Sequence, residues 1–262
     1  MNSVDVVIPV HGRLDLLKEC LDALPAAMGE QKFSVYVVND NSPEGVAEVK
    51  KFMTSYPSYS LLHNSAISGF PRTVNKGAKN GTGNYVFLLN SDAVLDPGSV
   101  ERAVAELKSP EVGVVGFKLR FPDKSLGSRP SGKIQHVGMS INIEGRPHHI
   151  FIGWALESPR VKRLYKVPAV TGAAFLTTRR LWKKFRGMDE VFGRGTYEDV
   201  DFCFKTRHLE GLEVVVCQDA TGTHHAGASA EAVKAGFPLD WNHQIFYDRW
   251  KEKITWTDGE LL

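Results

Sequence analysis

The chain has 262 residues, of which 42% are hydrophobic and 24% are charged. These proportions exclude a collagen, a disordered tail and a coiled coil. The 32 basic and 30 acidic residues leave a formal net charge of +2, which is too balanced to favour nucleic acid as a partner. The longest apolar runs are far shorter than the roughly 20 residues that cross a bilayer, and the first residues lack the features of a signal peptide. We expect one domain, residues 1–262, in the cytoplasm.

Strands and helices alternate along the first 117 residues. A β-branched run predicts a buried strand over Val4–Val10, and leucines at helical spacing predict a helix from Leu14 that Pro25 closes. Further patterns predict strands at 33–38, 59–63, 84–89 and 112–117, and helices that end near residue 56, at 80 and at 108. Pro97 is expected in the first turn of the last of these helices. This alternation predicts an α/β fold with a single Rossmann-like, mostly parallel sheet flanked by helices.

The second half of the chain has a less regular pattern. Residues 118–168 are rich in turn formers and aromatic residues. Beyond them we predict a short amphipathic helix over 179–185, a helix that opens at Tyr197, a late strand at 214–216 and a terminal helix over 242–253. The helix after Tyr197 has three carboxylates in its first turn, for which the helix dipole is an ordinary explanation.

Polar clusters follow the first, second and fourth strands. They are His11-Gly12-Arg13, Asn39-Asp40-Asn41 and Asn90-Ser91-Asp92. Ligands of open α/β sheets bind beyond the carboxyl ends of the strands, so these clusters predict a site at that edge. The chain lacks GxGxxG, GxxxxGK[ST] and GxSxG, which weakens the cases for a dinucleotide-binding domain, a P-loop protein and a serine hydrolase.

Eight short motifs in order complete the pattern. They are Val7–Val10, Val37–Ser42, Ser68-Gly69-Phe70 with Asn75-Lys76-Gly77, Leu88–Asp92, Val170–Ala173, Gly187–Glu190, Glu198–Lys205 and His224–Ser229. Over about residues 4–230 this set resembles the inverting family-two glycosyltransferases of GT-A fold, especially bacterial surface-polysaccharide and rhamnosyltransferase-like members. The resemblance implies a nucleotide-sugar-binding half at 1–117, an acceptor and catalytic half at 118–230, and a tail at 231–262 that we expect to be helical.

The resemblance implies a divalent cation, Mn²⁺ or Mg²⁺, on the donor diphosphate. Asp92 matches the last acid of the family's DxD-type motif, whereas Asn90 replaces the first acid. His224 matches a downstream metal ligand, and His225 is the adjacent alternative. Because neighbouring residues of a strand point in opposite directions, only one of the two should face the site. A polar turn that caps the next helix is the alternative interpretation of the Asn90-Ser91-Asp92 cluster.

The resemblance also implies a nucleoside-diphosphate sugar, UDP- or dTDP-linked, as the donor. Asp40 matches the acid that binds the nucleobase. The other expected donor-binding residues line the base and ribose or contact the phosphates and sugar; they are Pro9, His11, Arg13, Arg72, Asn75, Asn90, Ser91 and Asp92. Arginine suits bidentate phosphate binding, but solvated surface arginines and an exposed helical asparagine are equal alternatives for Arg13, Arg72 and Asn75.

Asp199 matches the catalytic base of the family and Glu198 an acceptor-side neighbour. The implied reaction is the metal-dependent, inverting transfer of a hexosyl or deoxyhexosyl group to a hydroxyl of a glycan or lipid-linked saccharide. A non-catalytic nucleotide-sugar or glycan-binding module on the same fold remains the alternative, and Asn90 is the feature that favours it. The sequence leaves open the sugar, the acceptor, the oligomeric state and any peripheral contact with the inner face of the membrane.

Overall fold

The computed structural model describes residues 3–123, 130–225 and 238–255. The strands, in chain order, are β1 (Ser3–Val10), β2 (Lys32–Asn39), β3 (Ser60–His63), β4 (Tyr85–Leu89), β5 (Ala93–Leu95), β6 (Val112–Arg120), β7 (Ile134–His136), β8 (Met139–Ile141), β9 (Pro147–His149), β10 (Ala174–Thr178) and β11 (Glu213–His224). The helices are α1 (Leu14–Met28), α2 (Val46–Met53), α3 (Phe70–Asn80), α4 (Ser99–Glu106), α5 (Pro159–Arg163), α6 (Arg179–Phe185), α7 (Glu198–Glu210) and α8 (Leu239–Trp250). One turn of 3₁₀-helix spans Glu190–Phe192.

The main sheet has the strand order β3-β2-β1-β4-β10-β6-β11-β5, and β7 pairs with β6. Strands β3, β2, β1 and β4 are parallel neighbours. Strand β10 runs antiparallel between β4 and β6, and β6 pairs in parallel with β11. Most strands therefore point the same way, and the predicted α/β class with a mostly parallel sheet is confirmed.

The central strands β1, β4 and β6 are buried on both faces, as the apolar run in β1 predicts. One core lies under α1 and α4, with Leu17 and Val100 among its members. The other lies under α3, α6 and α7, with Val74 and Phe202 among its members. The two-sided core holds the strand ends of the site in place.

Two predicted helix boundaries are wrong. Helix α1 continues through Pro25 to Met28, because a proline in the last turn removes one intrahelical bond while Leu24, Ala27 and Met28 are still buried there. Pro97 precedes α4, which begins only after Gly98 at φ 72°.

The late strand is longer than predicted. We expected it at 214–216, with His224 and His225 beyond its end, but β11 continues to His224 after a register shift between Cys217 and Thr221. Its last residues pair with β5, a strand that the sequence did not predict, and His224 lies opposite Ala93. This pairing brings His224 next to the Asn90-Ser91-Asp92 cluster.

The terminal helix is confirmed as α8, which packs against α7. Asp201, one of the three carboxylates in the first turn of α7, is fully buried and accepts bonds from Arg249 (2.7 Å) and Trp250 Nε1 (2.9 Å). Residues 226–229 of the resemblance, and residues 231–237 and 256–262 of the expected tail, lie outside the described residues. None of the helices in the described ranges is long and apolar enough to cross a membrane.

Candidate active site

The loops after β1 and β2 join at the carboxyl edge of the sheet. The ring of His11 donates from Nδ1 to the carbonyl oxygen of Asp40 over 2.9 Å. The amide of Gly12 donates to Ser42 Oγ over 2.9 Å. These two bonds make one continuous polar surface from the ends of two parallel strands.

The Asp40 carboxylate anchors the segment that leads into α3. It accepts hydrogen bonds from Asn64 Nδ2 and the amide of Ser68, each over 2.8 Å, and from the amide of Gly69 over 3.0 Å. Gly69 has a φ of 85°, and a Cβ there would lie 2.3 Å from the carbonyl oxygen of Gly193. A carboxylate can accept about four hydrogen bonds, so Asp40 can accept one more in addition to these three.

Asp92 and His224 form a buried pair at the end of β4 and β11. His224 Nε2 lies 3.1 Å from Asp92 Oδ1 and 3.3 Å from Asn90 Nδ2. Burial by itself raises the pKa of Asp92, but the bond to His224 and the charge of that ring outweigh it, and the pKa is lowered overall. Asp92 therefore stays ionised well below neutral pH and presents a carboxylate beside an imidazole nitrogen.

His225 points elsewhere. Its Nε2 lies 3.9 Å from Glu19 Oε2 on α1, while its backbone amide donates to the carbonyl oxygen of Asp92 over 3.0 Å. Of the two adjacent histidines, His224 is therefore the one whose ring faces Asp92.

Gln135 fixes the ring of His224 from the other side, a contact that the sequence did not reveal. Its Nε2 donates to the backbone oxygen of His224 over 2.8 Å, so its Oε1, 2.7 Å from His224 Nδ1, accepts the Nδ1 proton. The Nε2 atom of His224 is thereby left to face Asp92. The pattern Gln135-His136-Val137-Gly138 was the available signal, but only the fold shows its partner.

Asp199 lies at the start of α7 and is tied to the strand-end cluster through residues 172–173. Its Oδ2 accepts from the amide of Gly172 and its Oδ1 from the amide of Val200, each over 2.8 Å. The carbonyl oxygen of Ala173, the residue after Gly172, accepts from the amide of Asn90 over 2.9 Å. Burial raises the pKa of Asp199 above its usual value, although its amide bonds oppose the rise. This chain of contacts brings Asp199 and the Asp92–His224 pair to one region.

Glu198 is buried beside Asp199. Its Oε2 has no hydrogen-bond partner among the described residues, and it is 5% exposed. Burial, followed by the negative charge of Asp199, raises the pKa of Glu198 well above its usual value. The carboxyl group therefore favours its neutral form in the folded protein more than in the unfolded chain.

We expect Glu198→Gln to stabilise the protein at pH 8 but not below about pH 4. The folded state holds the Glu198 proton to higher pH than the unfolded state, so the stability of the wild-type protein falls as pH rises between the two pKa values. A melting temperature about 2–4 °C above wild type at pH 8 would correspond to about 1 kcal/mol for a chain of this size.

Glu210, at the other end of α7, gives a control of opposite sign. It is paired with Arg180 and Lys184, and the bond from Lys184 lowers its pKa. Glu210→Gln should therefore lower the melting temperature at pH 8. A Glu198→Gln protein that melts at or below the wild-type temperature at pH 8 contradicts the first expectation.

A family model described as glycosyl transferase family 2 matches residues 5–181. The chain belongs to this family. It is also 29% identical over 240 residues to the O-antigen biosynthesis protein RfbC of Myxococcus xanthus, a match that covers 88% of this chain but 18% of RfbC. The chain thus spans less than a fifth of the length of that relative.

Two solved structures show the same fold. A mannosyltransferase of Pyrobaculum calidifontis, in complex with GDP-Man and Mn²⁺, has a TM-score of 0.61 at 19% identity, with 94% of this chain and 69% of that one covered. Residues 1–349 of TarS from S. aureus, in complex with UDP-GlcNAc, have a TM-score of 0.59 at 15% identity, with 88% and 61% covered. The expected GT-A fold and family resemblance are confirmed.

The remaining residues expected from the family pattern are less closely grouped. Arg13 is half-exposed and paired with Asp15 over 2.7 Å. Its pKa is raised, first by the hydrogen bond that it donates to Asp15 and to a smaller extent by the negative charge of Asp92. Arg72 is exposed on α3 and paired with Glu190 over 3.4 Å. Pro9 is partly buried within β1. The arginines are free to exchange these exposed pairs for a ligand at little cost.

The side chain of Asn75, expected to contact the sugar nucleotide, bonds to the backbone of Met188. Its Nδ2 donates to the carbonyl oxygen of Met188 over 2.8 Å, and its Oδ1 accepts from the amide of Met188 over 2.9 Å. Both ends of the amide therefore bond to the loop before Glu190.

Ser91 is buried between Asn90 and Asp92.

Asp92 and His224 suit a divalent cation that also binds ligands from outside the protein. Asp92 offers a carboxylate oxygen and His224 a ring nitrogen, and Gln135 occupies the opposite ring nitrogen of His224. No group of three or more His, Cys, Asp or Glu in the described part of the chain is arranged to hold a metal. Mg²⁺ and similar ions are commonly held by one or two carboxylates with phosphates and waters, so a cation shared with a diphosphate fits these residues.

We expect Gln135→Leu to weaken the binding of Mn²⁺ in the presence of UDP by about 10- to 100-fold. Residues that orient a metal-ligating histidine have effects of this size, and leucine leaves the Nδ1 proton of His224 without an acceptor. Titration of Mn²⁺ followed by electron paramagnetic resonance measures the affinity. Gln218→Leu is the matched control, because it makes the same change at a glutamine that bonds to the carbonyl oxygen of Leu164 instead; equal Mn²⁺ affinity in wild type and Gln135→Leu contradicts the expectation.

Proposed function

We propose that the chain is a metal-dependent inverting glycosyltransferase that moves a sugar from a UDP- or dTDP-linked donor to a hydroxyl of a glycan or lipid-linked saccharide. The observation that carries this proposal is the contact path from Asp199 through Gly172 and Ala173 to Asn90 and the Asp92–His224 pair. It joins a base to a cation-binding pair in a family 2 chain. The likeness to a mannosyltransferase complex with GDP-Man and Mn²⁺ adds support.

Asp92 and His224 would hold the cation. When bound, a divalent cation neutralises the charge that grows on the leaving diphosphate. Arg13, close to Asp92, supplies a guanidinium suited to the same phosphates, and Arg72 is a second candidate. Asp40 and His11, with Pro9, would line the nucleobase and ribose.

Asp199 acts as the general base in this proposal. The acceptor oxygen forms its bond to the anomeric carbon as the bond from that carbon to the diphosphate oxygen breaks, and the acceptor proton moves to the Asp199 carboxylate. One displacement inverts the anomeric centre without a covalent intermediate. The raised pKa of Asp199 makes the carboxylate a stronger base, and the raised pKa of Glu198 favours the neutral form of that neighbour and so reduces repulsion between the two groups.

The binding-module alternative rests on Asn90, which leaves one anionic ligand fewer than a DxD motif. Calorimetry with UDP and dTDP, with and without Mn²⁺, combined with a donor-hydrolysis assay, separates the two functions. Mn²⁺-dependent binding with release of free sugar supports the enzyme. Tight binding without turnover against a broad acceptor panel supports the module.

A further inference from the structure

A pair of histidines beside the candidate active site has no part in the function proposed above. His136, at the end of β7, is 1% exposed, and its Nδ1 lies 2.8 Å from Nδ1 of His149 at the end of β9. The two rings are almost perpendicular, at 81°, with centroids 4.9 Å apart.

The backbone determines which nitrogen of each ring holds a proton. The amide of Thr171 donates to His136 Nε2 over 3.3 Å, so that nitrogen must present its lone pair. The proton of a neutral His136 then lies on Nδ1, which donates to His149 Nδ1. His149 in turn must keep its own proton on Nε2.

The neutral state of His136 has a physical cause. Burial, and after it the nearby rings of His149 and His224, lowers its pKa well below the usual value. A doubly protonated His136 would also have no lone pair for the amide of Thr171. The hydrogen-bond relay therefore fixes the tautomer of His149.

His149 is connected to Asp199 through His136 and the segment Thr171-Gly172. Thr171, which holds His136, directly precedes Gly172, whose amide holds Asp199. The β8–β9 hairpin docks on the same segment, because the amide of Met139 donates to the carbonyl oxygen of Ala169 over 2.8 Å. His149 pairs with Met139 in that hairpin.

We infer that His149 is a substrate-positioning residue whose Nε2–H donates a hydrogen bond to a saccharide hydroxyl oxygen in this site. The inference rests on the proposed function and adds a residue to it. His149 is exposed, so its outer nitrogen can reach a ligand, while its inner nitrogen is occupied by His136. A neutral donor of fixed direction suits a hydroxyl oxygen, because it neither attracts a second proton nor needs to reorient on binding. The hydroxyl belongs either to the transferred sugar or to the acceptor.

The tautomer is tested without any activity measurement. Long-range ¹H–¹⁵N correlation spectra at pH 7.5 report which ring nitrogen is protonated, and the His149 signals are assigned by their loss in His149→Gln. We expect only the Nε2–H form in the wild type and a mixture of both tautomers in His136→Leu, where no partner fixes the Nδ1 lone pair of His149. An Nδ1–H form of His149 in the wild type overturns the inference, while the Asp199-based function would still stand.

The ligand contact is tested with His149→Leu and His149→Gln. Leucine cannot donate, and we expect about a tenfold rise in KM for one saccharide, the size of one lost hydrogen bond. Glutamine accepts from His136 with Oε1 and donates with Nε2, so it should restore most of the loss. His148→Leu, on the neighbouring exposed residue of β9, is the matched control and should leave KM unchanged.

Two substrates distinguish the sources of the hydroxyl. If it belongs to the transferred sugar, His149→Leu raises KM for the nucleotide sugar that the wild type hydrolyses fastest but leaves the binding of UDP unchanged. If it belongs to the acceptor, donor hydrolysis is unchanged and KM rises for the methyl glycoside that the wild type uses fastest. Unchanged KM values for both overturn the inference.

Discussion

We expect Asp199→Asn to lower kcat by about 10³-fold while the dissociation constant of UDP stays within about twofold of wild type. A positioned general base contributes 10²- to 10⁴-fold to proton transfer, and asparagine cannot take the acceptor proton. The substitution keeps the size of the side chain, and the amide oxygen of asparagine can still accept from one of the two backbone amides, Gly172 or Val200, that bond to Asp199. Single-turnover kinetics and calorimetry with UDP in Mn²⁺ measure the two quantities.

Asp219→Asn is the matched control for this substitution. Asp219 is exposed on β11, so the same chemical change there should leave both constants unaltered. The pH dependence offers a further check: burial raises the pKa of Asp199, so the acid limb of kcat/KM should lie above the ordinary pKa of an aspartate, about 3.9. Wild-type turnover in Asp199→Asn would remove the residue from the mechanism.

The second large effect concerns the cation. We expect Asp92→Asn and His224→Asn each to weaken Mn²⁺-dependent binding of UDP by at least about 100-fold, because each removes one of the two proposed protein ligands; losing even an outer partner costs 10- to 100-fold. Binding of UDP without Mn²⁺ should change little. Calorimetry with and without the ion gives both values for each variant.

His225→Asn is the control that the chain offers for the second prediction. Its ring faces Glu19 on α1 rather than Asp92, so the Mn²⁺ effect should remain. The opposite result, with His225→Asn losing the ion and His224→Asn keeping it, would show that the pair at the end of β4 and β11 is not the metal site.

The sequence alone predicted the α/β class and most elements of the first half. These elements have strong local signals, because a β-branched run such as Val4–Val10 must be a buried strand and leucines at helical spacing must face a core. It also predicted that the polar residues after β1, β2 and β4 share an edge, since the carboxyl ends of parallel strands do so in any doubly wound sheet.

The sequence could not predict β5 or the full length of β11. Three residues after Asp92 carry too weak a pattern, and they form a strand only because residues 222–224 of β11 lie beside them. The same pairing decides that His224, not His225, faces Asp92. This pairing depends on a register shift before Thr221, and no local sequence pattern predicts that shift.

The sequence by itself thus determined the family, the sheet and the residue types of the candidate site. Only the tertiary structure decided the partners: Gln135 with His224, Asn75 with Met188, Asp201 with Arg249, and the relay from Thr171 through His136 to His149. Such contacts join residues far apart in the chain. Their geometry depends on how the loops pack against the folded sheet. Hydrophobic periodicity and secondary-structure propensity depend only on residues close together in the sequence.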